Sequence, residues 1–364
     1  MSAAAYKPDA ADEGGFVPSI QGLRGVAALS VLMDHFYDMP KGGVYDIPNP
    51  GFLPPIWPWL QSVINVGGHG VELFFMISGF LIPASLVRHE SVSKFFFDRV
   101  LRIMPVFLVL HFTLFVIGPV VGYKFFRGID AGGYLQLFFA NMFFLQDALG
   151  LPIAQQNAWT LTYEWAFYIW FACAFVALKR GGWPLAAPLI VLGLACVVHW
   201  PITAFFCIGM LCSATGFRIP LAGRAGLAAG LACGAAMYTC LTLFHPFVGL
   251  VPGFLLFGMV LAPGSGIAAA LSTPPLQFLG KISYSLYLVH PFVLFPLQVI
   301  GLRLVALGID RWLLWAAFIV LGLILALIAS AISYELIEVR LRRLLNSFRQ
   351  VLFPPRAEVG SPVT

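Results

Sequence analysis

Charge is what this chain has least of. Lys, Arg, Asp and Glu together make up 10% of its residues, and hydrophobic residues make up 60%. Soluble domains carry about a quarter charged residues, so these few could not clothe a water-facing surface. A secretory leader is not expected either. The first 18 residues hold Lys7 but also Asp9, Asp12 and Glu13, without a basic start, an apolar core or a small-residue cleavage site. The N-terminus is therefore expected to stay in the cytoplasm. No tract has the basic density of a nucleic-acid arm, so nucleic acid is excluded as a partner. Cys173, Cys196, Cys207, Cys212, Cys233 and Cys240 all lie in apolar stretches without a CxxC pair. They read as buried thiols, and no zinc or haem spacing is present; no metal is expected. There is no internal repeat, and no soluble catalytic domain is expected at either end.

What the chain has instead is apolar runs long enough to cross a bilayer, recurring along its whole length. The patterning predicts an all-α polytopic membrane protein with ten transmembrane helices, near 20–38, 70–87, 103–122, 159–178, 183–199, 201–217, 224–244, 247–262, 283–301 and 312–335. An eleventh apolar piece, 134–146, is too short to cross comfortably and reads as re-entrant or interfacial. A cytoplasmic segment 1–18 precedes the transmembrane domain 19–343, and a cytoplasmic tail 344–364 without periodicity follows it.

Lys and Arg placement sets the orientation, because basic loops are retained inside. Arg88, Lys94, Arg99 and Arg102 follow the second span, and Lys179 and Arg180 the fourth. Arg218 and Arg224 follow the sixth, Lys281 precedes the ninth, and Arg340, Arg342, Arg343 and Arg349 follow the tenth. With the N-terminus inside, all five groups are cytoplasmic, provided that 134–146 does not cross. The net charge of +5 is thus a matter of topology. The stretch 39–69, rich in Pro, Gly and Trp, reads as an extracytoplasmic loop at the membrane interface.

Ionisable residues inside spans are costly and are functional candidates by default. Arg24 and His35 share the first span, 11 residues apart. At 100° per residue they lie on one face, about 16 Å apart along the axis. Asp38, three residues after His35, is placed to orient the imidazole. Glu72, near the outer end of the second span, and Glu164, near the outer end of the fourth, fall at the depth of His35 in this topology. A His with carboxylate neighbours can act as general base on a hydroxyl. Arg99 and Arg102, spaced RxxR at the cytoplasmic end of the third span, suit a phosphate-bearing donor. His69 reads as an interfacial loop residue, and His111, His199 and His245 as structural.

Five segments in order resemble the acyltransferase family 3 membrane proteins, which include bacterial O-acetyltransferases of cell-surface polysaccharides. They are Gln21-Gly-Leu-Arg-Gly with His35, Gly70-Val-Glu-Leu-Phe-Phe-Met-Ile-Ser-Gly79, Arg99-Val-Leu-Arg102, Trp159-Thr-Leu-Thr-Tyr-Glu164 and Ile282-Ser-Tyr-Ser-Leu-Tyr-Leu-Val-His290. The resemblance implies acyl-CoA as donor, a catalytic role for His35 and a bacterial plasma membrane location. Gln21 and Trp165 stand where family members often carry acidic residues, so any role of those two carboxylates is absent or relocated here.

The resulting expectation is a membrane O-acyltransferase. It moves an acyl group, acetyl first, from cytoplasmic acyl-CoA to a hydroxyl of an extracytoplasmic or lipid-linked saccharide. Arg99, Arg102 and Arg24 hold the donor, and His35, with Asp38, Glu72 or Glu164, activates the hydroxyl. Membrane lipids and a glycan acceptor are the expected partners. The alternative is a transporter or flippase of a lipid-linked saccharide, which would also place polar residues inside a bundle.

Overall fold

A computed structural model of the chain describes residues 16–41, 51–57, 60, 61, 64, 66–89 and 91–346. Most of the expected N-terminal segment, much of the stretch 39–69 and the tail from residue 347 lie outside the described residues. The described chain is helical, and it divides into two compact units.

The first unit holds residues 1–34, 57–81 and 194–283. Helix α1 (Pro18–Lys41) begins in it, a 3₁₀ turn (Val66–His69) follows, and α2 (Gly70–His89) starts there. Helices α6 (Ala204–Thr215), α7 (Gly223–Leu243), α8 (Leu250–Val260) and α9 (Gly266–Leu271) lie wholly within it. Small residues let the backbones close in, the usual route to helix packing where lipid removes the hydrophobic drive. A Cβ at Gly79 would strike the Phe206 carbonyl, and one at Gly209 would strike the Met76 carbonyl, so α2 and α6 touch backbone to backbone. Phe75 stacks on Phe206 at 4.4 Å beside that contact.

The second unit holds residues 35–56, 82–193 and 284–364. Ser91 caps α3 (Val92–Val120), and Asp130 caps α4 (Ala131–Met142) by accepting from Gly133 N–H at 2.8 Å. Phe115, Tyr123, Phe126, Leu137 and Ala154 form a buried cluster where α3, α4 and the following loop meet. The segment 151–155 is drawn inward there: Asn141 accepts from Ala154 N–H at 2.8 Å, and Tyr123 O–H donates to Ala154 O at 3.2 Å. Helix α5 (Trp159–His199) breaks at Gly182 (φ 62°, ψ −154°). Its two arms fold back on each other, with Trp170 Nε1 donating to Leu189 O at 2.7 Å. Beside the start of α3 they leave an apolar groove of about 570 Å³ lined by Val92, Phe96, Cys173, Leu189 and Arg180. Helix α10 (Pro274–Ala306), which begins in the first unit, and α11 (Arg311–Ser333) complete this unit, α11 running on as a π-helix over Tyr334–Leu341.

Among the described residues, six helices are long and apolar enough to cross a bilayer: Gly67–His89, Val92–Val120, Gln156–His199, Gly223–Leu243, Pro274–Ala306 and Arg311–Asn346. This is fewer than the ten expected, for three physical reasons. The two expected spans 159–178 and 183–199 are the arms of one helix, broken at Gly182. The pieces Pro201–Thr215 and Pro246–Val260 would reach only about 22 Å as helices, short of a hydrocarbon core of about 30 Å. In α1, Gln21, Arg24, Asp34 and His35 lower the hydropathy of an otherwise apolar helix. The expected short piece 134–146 corresponds to α4, a 12-residue helix.

Candidate functional site

Arg99 and Arg102 stand one turn apart in α3, so their side chains leave the helix on neighbouring positions. Arg99 is fixed on several sides. Its Nη2 donates to Ser85 Oγ at 3.3 Å, and its guanidinium lies 5.7 Å from the Phe95 ring centre. Its Nε is buried without a hydrogen-bond partner. Tyr168 and Glu164 of α5 face it electrostatically, and the Tyr168 hydroxyl donates to Glu164 Oε1. Next to Arg99, His89 Nε2 and Asp98 Oδ2 form a hydrogen-bonded clamp across the α2–α3 turn.

The late sequence motif joins this cluster from α10. Tyr284 O–H donates to Ile103 O at 2.7 Å and interacts with Glu164, Tyr168, Arg102 and Glu338. Ser285 gives Glu338 both its N–H (3.1 Å) and its hydroxyl (2.6 Å). The π-helix is what brings Glu338 to this position, a use such helices commonly have near functional groups. Glu338 was not singled out in the sequence, because it lies among basic residues that read as a cytoplasmic tether.

His35 lies in α1, half-buried, edge-on to His290 with ring centres 4.9 Å apart. His290 is fully buried, with Nδ1 2.7 Å from Leu286 O and Nε2 3.2 Å from Asn157 Nδ2. The carbonyl can only accept, so Nδ1 carries the proton and Nε2 takes a bond from Asn157. Asn157 also donates to Tyr287 O at 3.0 Å. Six residues of α10 separate Tyr284 from His290, about 9 Å along the axis.

This arrangement corrects the expected grouping of Glu164. The sequence placed it at an outer helix end, at the depth of His35. In the structure it is Asn157, ahead of α5, that reaches His290. Glu164, one and a half turns into α5, sits with Tyr168, Arg99 and Arg102. Asp38 meets Lys41 at 3.7 Å.

In the first unit, Arg24 is half-buried in α1 and Glu72 is buried in the first turn of α2. His69 Nδ1 lies 3.0 Å from Glu72 Oε1. The sequence reading of His69 as a loop residue is thus corrected: the run Val66-Gly-Gly-His-Gly70 is turn chemistry, but it forms a 3₁₀ turn against α1. Of the two departures from the family pattern, Gln21 donates to Gln277 O at 3.4 Å, and Trp165 Nε1 is buried without a hydrogen-bond partner. His111 is wholly buried among Phe107, Phe112, Phe115 and Phe138. Among the described residues there is no group of three or more His, Cys, Asp and Glu able to hold a metal ion.

Comparison with known proteins fits this geometry. The chain is 25% identical to Peptidoglycan O-acetyltransferase OatA of Listeria monocytogenes over 90% of its own length and 56% of that protein's. It therefore spans little more than half of that relative. It is 30% identical to Exopolysaccharide production protein ExoZ of Rhizobium meliloti, over 66% of this chain and 80% of that one. It is 26% identical to Acyltransferase MdmB of Streptomyces mycarofaciens, over 93% and 95% respectively. No solved structure matches. Residues 17–332 match the family described as acyltransferase domain, and so the chain belongs to the membrane acyltransferases of family 3.

Proposed function

We propose that this chain is a membrane O-acyltransferase that moves an acyl group, acetyl first, from cytoplasmic acyl-CoA to a hydroxyl of an extracytoplasmic or lipid-linked saccharide. The observation that carries the reading is the spacing of two groups in the second unit. Arg99 and Arg102 stand with Tyr284 on α10, and His35 stands with His290 about 9 Å further along that helix. Forked guanidinium donors suit the phosphates of CoA, and an imidazole at this distance suits the chemistry of the acyl end. His35 serves as the catalytic imidazole, either deprotonating the hydroxyl or carrying the acyl group between donor and acceptor. Arg24, on the same helix as His35, is a further donor contact, and Asp38 a helper of the imidazole. Glu164 acts through Tyr168 on the arginine cluster. The saccharide acceptor follows from the relatives, a peptidoglycan O-acetyltransferase and an exopolysaccharide production protein. Family membership weighs against a transporter.

The topology proposed with this function has ten crossings in a bacterial plasma membrane, both termini cytoplasmic. The acyltransferase domain is 19–343, flanked by 1–18 and 344–364. The antiparallel arms of α5 support two crossings there. The deciding experiment is acyl transfer by reconstituted protein with radiolabelled acetyl-CoA and a saccharide acceptor. Wild type releases CoA and labels the glycan, and folded His35→Ala does neither. Full transfer by His35→Ala would remove His35 from the mechanism.

A further inference from the structure

Within the second unit, the end of α2 and the start of α3 are tied together by His89 and Asp98, to which acyl transfer as described gives no task. Ser85 and His89 are four residues apart in α2. Phe95 stands three residues before Asp98 and four before Arg99 in α3, so each set shares a helix face. Two bridges join the faces. His89 Nε2 bonds to Asp98 Oδ2, and Arg99 Nη2 donates to Ser85 Oγ at 3.3 Å. The bridges are also linked at their ends. His89 Nδ1 donates to Ser85 O at 2.7 Å, and Asp98 and Arg99 are consecutive. Four residues thus form a closed circuit. Phe95 lies against it, wholly buried, with the His89 ring edge-on at 6.4 Å and the Arg99 guanidinium 5.7 Å from its centre.

The proton count fixes the imidazole. The Ser85 carbonyl can only accept, so Nδ1 carries a proton, and the bond to Asp98 holds a second proton between nitrogen and oxygen. Both ring nitrogens are engaged, and no other rotamer keeps both bonds. The His89 and Asp98 side chains are only 20% and 16% exposed, and such bonds are stronger away from water. Turn formation alone does not call for this device, since Ser91 already caps α3. What His89 adds is a cross-link at the level of Arg99. A long guanidinium side chain is costly to immobilise, and two of the groups that hold Arg99, Ser85 Oγ and the Phe95 face, are both set by this turn.

We propose that His89 is a positioning residue for the donor. Through Asp98 and Ser85 it holds the α2–α3 turn at the width at which Arg99 rests on Ser85 and Phe95 with its fork free for the donor phosphates. The assignment rests on the reading of Arg99 and Arg102 as the acyl-CoA contact. His89 touches no reacting atom. It acts by fixing the guanidinium before the donor arrives, which lowers the ordering cost of binding. A contact prepared in this way serves ground and transition states alike, so its loss falls on donor KM and spares kcat.

The test is donor titration of full-length protein reconstituted in liposomes, with acetyl-CoA as donor and a saccharide accepted by wild type. His89→Asn keeps a nitrogen near Ser85 O but gives up Asp98, and Asp98→Ala removes the same bond from the other side. Each is expected to raise donor KM about tenfold, with kcat and acceptor KM within about twofold of wild type. His89→Gln, whose amide still reaches Asp98, and Asp98→Asn, which can still bond Nε2, should stay within about threefold in donor KM. Added to Arg99→Lys, His89→Asn should cost less than about twofold more, because both act through one guanidinium. An unmoved donor KM in His89→Asn and Asp98→Ala, a fall in kcat with KM unmoved, or losses that multiply in the combined variant would each overturn the proposal. Should Asp98→Ala not fold, His89→Asn against His89→Gln decides. If Arg99→Lys with Arg102→Lys raises donor KM and the His89 variants do not, the clamp fails alone. If none of them raises it, the donor reading of the arginines fails as well.

Discussion

At the scale of single residues, the arginine cluster gives the sharpest expectation. Lys keeps the charge of Arg but not its planar fork. In the double variant Arg99→Lys, Arg102→Lys the bond to Ser85 and the packing on Phe95 are lost or loosened. Orientation in the membrane should not change. A contact made equally in ground and transition states acts on KM, so donor KM should rise about tenfold to a hundredfold, from roughly 1–3 kcal/mol per charged contact. Donor titration of the reconstituted variant checks this, and an unmoved KM would leave the pair as topology signals only. Sequence spacing revealed these arginines because one-turn neighbours on a helix must lie together. It could not reveal that Tyr168 and Tyr284 meet them through tertiary packing, or that Glu338 meets Tyr284. The place of His69 was missed for a related reason: the three glycines beside it, Gly67, Gly68 and Gly70, read as loop, whereas here they permit close approach to α1.

At the scale of elements, the reversal in α5 depends on one backbone geometry. Gly182, at φ 62° and ψ −154°, occupies a region essentially closed to residues with a Cβ, at a cost of about 1–3 kcal/mol. Gly182→Ala should therefore lower the unfolding midpoint in detergent, while Gly234→Ala, at a helical glycine where a Cβ would meet only Leu256 Cδ2 at 3.9 Å, should leave it unchanged or slightly raised. Equal midpoints for the two variants would show that the reversal tolerates a side chain. The reversal was legible beforehand, since Lys179-Arg180-Gly-Gly182 interrupts two apolar runs with charge and glycine. The company of Glu164 was not, since Arg99 meets it only through packing between α3 and α5.

At the scale of the whole molecule, the orientation proposed from the basic loops can be checked directly. Single cysteines at Ser93 and Leu307, in a background with the six native cysteines replaced, should react with an impermeant maleimide from opposite sides of the membrane. Ser93→Cys should be labelled only from the cytoplasm, and Leu307→Cys, an exposed residue after α10, only from outside. Labelling of both from one side would overturn the crossing scheme. Membrane class was readable from composition alone, because scarce charge leaves few other ways to solvate the chain. The count of crossings was less legible, since in short apolar helices such as α6 and α8 hydropathy and length point different ways.

Helix α10 has one more consequence. Tyr284 and His290 are fixed to the same rod, so the reach from the arginine cluster to the His35 neighbourhood is counted in residues. One residue inserted between them would advance His290 by about 1.5 Å and swing it by about 100°, out of line with Asn157. In the connecting loops an insertion only lengthens a tether; in this stretch it changes the gauge of the enzyme.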